Sequence, residues 1–297
     1  MTRPKITVII PTRERPDTLE MSLRTVTAQN YDNLEIIVSD NFSCDNTEAV
    51  VRRNQDPRIK YINTRKRVSM SHNYEFALSH VQEGWVAIIG DDDGLLPDCL
   101  EHVGEIIRNT GTRAIRTSCC NYRWPSTSGK SFGRLGVPLT SGIEVRNSKI
   151  WLNKLMNGKA WYTDLPCLYH GGFIDISAVR DIKKKTGSFY KSSQPDVYSG
   201  VAISNVVDSF VYSHEPFAIN GNSHHSTGAS FMSASPATNN WIDFGTVPSA
   251  NGGMSSCNGI FSSVQNFSDG VELVAGDALM KDAPVLWCEW PFIANGS

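Results

Sequence analysis

Apolar positions along the first 110 residues alternate between two spacings. Ile6-Thr7-Val8-Ile9-Ile10 is a β-branched run that stops at Pro11, as expected of a strand buried on both faces. Pro16-Asp17 then opens a stretch in which Leu19, Leu23 and Val26 recur at helical spacing. Residues 35–38 predict a second strand closed by the polar Ser39-Asp40-Asn41, residues 45–54 a short helix, and residues 59–62 a third strand. Met70, Tyr74, Ala77, Leu78 and Val81 mark a helix of about three turns. Residues 85–89, the most apolar run, predict a fourth strand, and Pro97 begins a helix with Leu100, Val103, Ile106 and Ile107 facing inward. Strands alternating with helices imply an α/β fold with a mostly parallel sheet covered on both faces. In such open sheets ligands sit beyond the carboxyl ends of the strands.

After residue 110 the pattern loosens. Residues 113–122 read as a strand, and residues 124–142 as a loop rich in Gly, Ser and Pro. Helical spacing returns around residues 150–155, 176–182 and 196–205, residues 210–219 look extended, and 221–235 form a loop rich in Ser, Gly and His. The last stretch, 236–297, has no assignable period. The chain therefore divides into 1–110, 111–235 and 236–297.

Composition changes this picture only by exclusion. The 297 residues are 40% hydrophobic and 20% charged, ordinary values for a globular chain with a sizeable core. With 28 basic against 30 acidic residues and a net charge of −2, no basic stripe is concentrated enough for a nucleic-acid partner. The seven cysteines show no C-x₂-C pair, which favours reduced thiols over a zinc site and hence a cytoplasmic setting. Residues 1–20 lack the pattern of a secretory signal, and the apolar runs are too short to span a bilayer.

Three candidate chemical features sit at or just after predicted strand ends. Gly90-Asp91-Asp92-Asp93-Gly94 follows the most apolar strand; three adjacent carboxylates repel one another, and Mg²⁺ or Mn²⁺ would hold them together. A solvated acidic turn is the competing reading. Asp40 closes the second strand, where it either accepts from a base or ribose or serves a turn and helix cap. Pro11-Thr12-Arg13-Glu14-Arg15 follows the first strand, where Arg13 or Arg15 would approach a phosphate or merely line a loop.

Together these motifs resemble glycosyltransferase family 2, on the GT-A (Rossmann-like) fold. The shared features are Pro11-Thr12-Arg13-Glu14-Arg15, the stretch from Ser39-Asp40 through Asp45-Asn46-Thr47, the segment Val68-Ser69-Met70-Ser71-His72-Asn73, and Asp91-Asp92-Asp93-Gly94-Leu95-Leu96-Pro97. Their order over about 100 residues is what makes the resemblance specific. The resemblance implies an inverting transferase that moves a sugar from a nucleotide donor, UDP- or dTDP-linked, to an acceptor hydroxyl. The acceptor would be a glycan, a lipid-linked sugar or a protein, and the enzyme would be cytoplasmic or peripheral to the inner membrane face. On this reading 1–110 is the nucleotide-sugar half, 111–235 the acceptor and base half, and 236–297 an extension. Pro11, Thr12, Arg13, Asp40, Arg67, Asn73 and Asp91 would contact the nucleotide, while Asp92, Asp93 and His225 (or His224) would serve the metal. Gly90 stands where the family commonly has Asp, and His72 where it has Arg.

The base is expected in the second half, as an acid at the start of a helix. Gln194-Pro195-Asp196-Val197-Tyr198 places Asp196 there, although a first-turn acid also simply complements a helix dipole. Asp164 and Asp175 are the next candidates, and His170-Gly171-Gly172 is a candidate lining for the acceptor pocket. Two rivals remain. A haloacid-dehalogenase-type phosphatase shares an Asp-x-Asp-Gly motif, but after its first strand rather than its fourth. A GT-A-fold protein that binds sugar nucleotide or glycan without turnover is the other.

Overall fold

The computed structural model describes residues 3–125, 133–192, 194–223 and 226. Its first half follows the expected alternation: β1 (Ile6–Thr12), α1 (Pro16–Thr27), β2 (Leu34–Asp40), α2 (Thr47–Arg53), β3 (Ile59–Asn63), α3 (Met70–Leu78), β4 (Trp85–Ile88), β5 (Gly94–Leu95) and α4 (Cys99–Thr110). The second half comprises β6 (Ala114–Arg123), β7 (Arg134–Gly136), β8 (Ile143–Asn147), α5 (Ser148–Met156), a 3₁₀ turn (Tyr162–Asp164), β9 (Gly172–Asp175), α6 (Ile176–Thr186), α7 (Pro195–Ser204) and β10 (Ser209–Asn222).

Among the described residues ten strands join one sheet in the order β3-β2-β1-β4-β9-β6-β10-β5, with β7 attached to β6 and β8 to β10. Strands β3, β2, β1 and β4 are mutually parallel, as the sequence predicts. Strands β6 and β10 also pair parallel, over residues 115–123 and 211–222. Strand β9 enters antiparallel between β4 and β6, and β5, β7 and β8 also pair antiparallel, so the sheet is mixed. These strands are short, and their segments carry too few alternating positions to declare a direction.

Side-chain alternation explains the two cores. Ile6, Val8 and Ile10 point to one face, with Leu19, Leu23 and Val26 of α1 and Leu100 and Val103 of α4. Ile9, Ile37, Val86 and Ile88 point to the other, with Tyr74 of α3, Val179 of α6 and Tyr198 of α7. A strand covered on both sides must be apolar at every position, which is why β1 and β4 read as continuous runs. Covering the sheet on both faces leaves its carboxyl edge as the open place for a ligand.

Candidate active site

Strand β1 ends at Thr12 and β2 at Asp40, paired residue to residue, while the turn after β4 carries the three aspartates. Two residues beyond each of β1, β2 and β3, a non-glycine residue takes a left-handed conformation: Glu14, Phe42 and Arg65. Such backbone is uncommon outside glycine and clusters where loops are shaped for function.

The three carboxylates diverge, and each has its own donors. Asp91, 3% exposed, accepts from Thr12 Oγ1 at 2.7 Å and pairs with Arg15 Nη1 at 3.0 Å. Burial, with help from the Asp92 charge, pushes its pKa up to about 6 against the opposing pull of Arg15 and Thr12. Asp92 accepts through Oδ2 from the hydroxyls of Ser223 at 2.6 Å and Ser226 at 2.5 Å. Asp93 turns back into the protein: Oδ2 accepts from Gly90 N at 2.6 Å and meets His170 Nε2 at 2.9 Å, and Oδ1 accepts from Gly221 N at 2.8 Å. Protein donors at Thr12 and Arg15, at Gly90, at His170 and in residues 221–226 already separate and satisfy them. Among the described residues no group of three or more His, Cys, Asp or Glu could by itself hold a metal ion, so an ion at this turn would also draw on phosphate oxygens.

Asp93, expected on the metal, has both oxygens engaged in closing the turn. Asp92 is different: among the described residues no hydrogen-bond donor reaches its Oδ1, while Oδ2 is fixed by the two serines. That leaves one oriented carboxylate oxygen, which suits Mg²⁺ or Mn²⁺, since these ions commonly bind one or two carboxylates plus phosphate oxygens. His224 and His225 lie outside the described residues.

Gly90 is explained by what surrounds it. A Cβ there would come within 2.7 Å of the Tyr169 hydroxyl and 2.8 Å of Asp93 Oδ2. A larger residue at this position would require the Tyr169 and Asp93 side chains to shift.

The residues expected to face the nucleotide divide into two groups. Arg13 is half-buried, and burial together with the nearby Arg67 charge lowers its pKa. Two guanidinium groups brought close together in this way favour an anion between them. Arg15, the other arginine of this loop, reaches Asp91 instead. Asp40 and Asn73, by contrast, are engaged internally. Asp40 accepts from Ser43 N and Oγ, from the Tyr61 hydroxyl and from Asn63 Nδ2. Asn73 uses both ends of its amide on Ser39, which ties α3 to β2. His72 bonds Ser69 at the start of α3 through its Nδ1, at 2.6 Å. Pro11 is buried within β1 opposite Ser39.

On the far side, Asp196 opens α7 directly after Pro195. The Tyr162 hydroxyl lies beside it, and the Asp196 charge, ahead of burial, holds that phenol well above its ordinary pKa. Tyr74 stands between the two acidic regions: burial first, then Asp196, Asp93 and Asp91, raise its pKa. The charges of Asp91 and Asp93, in the turn after β4, and of Asp196, at the start of α7, thus all bear on one tyrosine. The two runners-up have structural roles instead. Asp175 caps α6 by accepting from Ser177 N at 2.7 Å, and Asp164 accepts from Trp161 N at 2.9 Å and from Arg146. The tyrosines escaped sequence reasoning because buried aromatic residues at helical spacing read as core.

A mixed sheet with this acidic turn at its carboxyl edge is the GT-A architecture. TarS from S. aureus, solved with UDP-GlcNAc, superposes with a TM-score of 0.63 at 11% identity, covering 91% of this chain and 67% of that one. The mannosyltransferase PcManGT from Pyrobaculum calidifontis, solved with GDP-Man and Mn²⁺, gives 0.53 at 17% identity, covering 92% and 75%. At those identities the likeness concerns the fold alone. The sequence profile described as Glycosyl transferase family 2 matches residues 7–156, and the chain belongs to that family. The matched span includes Asp40 and the three aspartates and stops before Asp196.

Among curated relatives, a GalNAc(5)-diNAcBac-PP-undecaprenol beta-1,3-glucosyltransferase of Campylobacter jejuni is 38% identical over 100 residues, 33% of this chain and 32% of that protein. The succinoglycan biosynthesis protein ExoO of Rhizobium meliloti is 26% identical over 102 residues, 34% of this chain and 29% of that protein. The likeness thus spans about a third of each relative's length. No helix among the described residues is long and apolar enough to cross a membrane.

Proposed function

We propose that this domain transfers a sugar from a nucleoside-diphosphate donor, UDP- or dTDP-linked, to an acceptor hydroxyl with inversion, in the building of a glycan or lipid-linked saccharide. The observation that carries the reading is the buried acidic turn at the carboxyl edge of the sheet, fixed by Thr12 and Arg15, with Asp92 oriented by two serines. Asp196, at the start of α7, adds a carboxylate whose charge bears on Tyr74 together with those of Asp91 and Asp93. The names of the curated relatives support the setting in polysaccharide assembly.

On the donor side, Arg13 and Arg67 receive the diphosphate, and Asp91, held by Thr12 and Arg15, faces the ribose or the metal's water shell. Asp92 would hold Mn²⁺ or Mg²⁺ through Oδ1, and the bound ion would neutralise charge on the departing diphosphate. On the acceptor side, Asp196 takes the hydroxyl proton while the acceptor oxygen bonds to the anomeric carbon. The bond from that carbon to the β-phosphate oxygen breaks, and the nucleoside diphosphate leaves with the electron pair. In-line attack inverts the anomeric centre. Asp40 acts on the base pocket by fixing Tyr61 and Asn63, which leaves those two residues to present the contact surface.

A thermal-shift series with UDP, dTDP and GDP, each in Mn²⁺ and in EDTA, tests the donor side. The expected result is a stabilisation that grows as ligand exceeds its dissociation constant and is larger with Mn²⁺. Equal shifts in EDTA and Mn²⁺ would remove the metal from the proposal, and no shift with any nucleotide would remove the donor. Nucleotide binding without hydrolysis or transfer of any sugar would favour the non-catalytic binding reading.

A further inference from the structure

Arg116, on β6, is 4% exposed and has no carboxylate partner among the described residues. Its guanidinium donates instead to three main-chain carbonyls in two successive loops of the single α5–β9 connection. Nε reaches Thr163 O at 2.8 Å, while Nη1 reaches Tyr169 O at 2.7 Å and His170 O at 2.5 Å. A buried cation without a counter-ion is costly, and general stability would be served as well by a packed apolar side chain. Arg is suited to this arrangement for another reason: its rigid planar fork addresses several acceptors at fixed angles.

Both loops end at the proposed reacting groups. Thr163 follows Tyr162, whose hydroxyl abuts Asp196. Tyr169 bounds Gly90, and His170 meets Asp93 Oδ2. His170 is held at φ 42°, a conformation that needs support from its surroundings, and Cys119 Sγ adds a bond to the same carbonyl.

We propose that Arg116 is a positioning residue that sets the separation between the Asp91–Asp93 turn and Asp196 by clamping both loops to β6. The proposal rests on the transfer reading above for its kinetic consequence, and on geometry alone for its structural one. It requires no contact between Arg116 and either substrate.

The test is Arg116→Lys, which keeps the charge but cannot fork to two loops. Hydrogen exchange should quicken at residues 162–172 and stay unchanged across β1, β2 and β4. In turnover, kcat should fall by roughly tenfold to a hundredfold, the scale of a misplaced reacting group, with KM for the nucleotide sugar little changed. Unchanged exchange in those loops, or exchange that quickens evenly across the sheet, would overturn the proposal. Should Arg116→Lys fail to fold, His170→Asn probes the far end of the same clamp, since Asn tolerates the left-handed backbone and loses the bond to Asp93. A kcat equal to that of the parent would then overturn it, and a comparable fall would support it. If the parent turns over no nucleotide sugar, the transfer reading fails by itself, and exchange still decides the role of Arg116.

Discussion

The two halves of the sheet hold their functional groups by different means. From β1 to β4, parallel strands packed on both faces end together, and the backbone register alone brings Thr12, Asp40 and the acidic turn to one edge. From β6 onward, short antiparallel strands are inserted beside the long parallel pair of β6 and β10, and arginine side chains position the loops. Arg116 ties three loop carbonyls, and Arg146 lies 3.7 Å from the Trp151 ring and 3.4 Å from that of Tyr212 while donating to Asp164. A register of parallel strands tolerates changes of side chain at its mouth. A loop held by one guanidinium depends on that guanidinium. The nucleotide side is therefore expected to be robust and the acceptor side fragile.

The largest effect is expected on the fragile side, at Asp196. Asp196→Asn keeps the shape of the carboxyl and removes its capacity to take a proton. Loss of a general base lowers kcat by about 10²–10⁴-fold. Nucleotide binding, measured calorimetrically with UDP and Mn²⁺, should change little, because the donor residues belong to the other half. A variant within threefold of the parent kcat would move the base elsewhere, with Asp164 and Asp175 already committed to structural bonds.

Next in size is the seam where the halves meet. Strand β10 runs past the acidic turn so closely that a Cβ on Gly221 would collide with the main-chain carbonyl of Asp92, which cannot swing away as a side chain would. Gly221→Ala should destabilise the protein by about 3 kcal/mol, at the upper end of ordinary overpacking. Gly136→Ala in β7 is the control: its nearest neighbour would be 3.8 Å away, and its melting temperature should stay close to that of the parent. Equal melting temperatures for the two variants would mean that β10 is not locked against the turn.

What could be read from the sequence follows the same division. The four parallel strands were legible because burial on both faces writes itself as an unbroken apolar run, and the acidic turn because it follows the most apolar of them. Asp196 was legible through Pro195 and the helix after it. The partners of the aspartates were not. Arg15, His170, Gly221, Ser223 and Ser226 meet them from sequence separations of 76 to 134 residues where the contacts are of Asp91 or Asp92, and no local pattern records such pairings. Strand β5, only two residues long, and β9, four residues, are too short to carry a period. Asp175 and Asn73 look available in the sequence and become engaged only once Ser177 and Ser39 are in place.

The smallest effect belongs to the robust side and concerns Asp91 in the metal-free protein. Burial raises its pKa from the ordinary 3.8 to about 6. The folded chain therefore holds a proton on Asp91 between about pH 4 and pH 6 where the unfolded chain has released it. Stability contributed by this group falls as pH rises through that window, and the penalty is fully present above about 6. Asp91→Asn has no such titration. In EDTA, the parent should gain stability relative to Asp91→Asn as pH drops from 7 to 4, by about 1 kcal/mol or more. Denaturant midpoints at the two pH values measure the difference directly. A gain that reversed sign would show that Arg15 outweighs burial and that Asp91 is a stabilising ion pair. In that case the parallel half, too, would depend on one arginine, and the contrast between the halves would disappear.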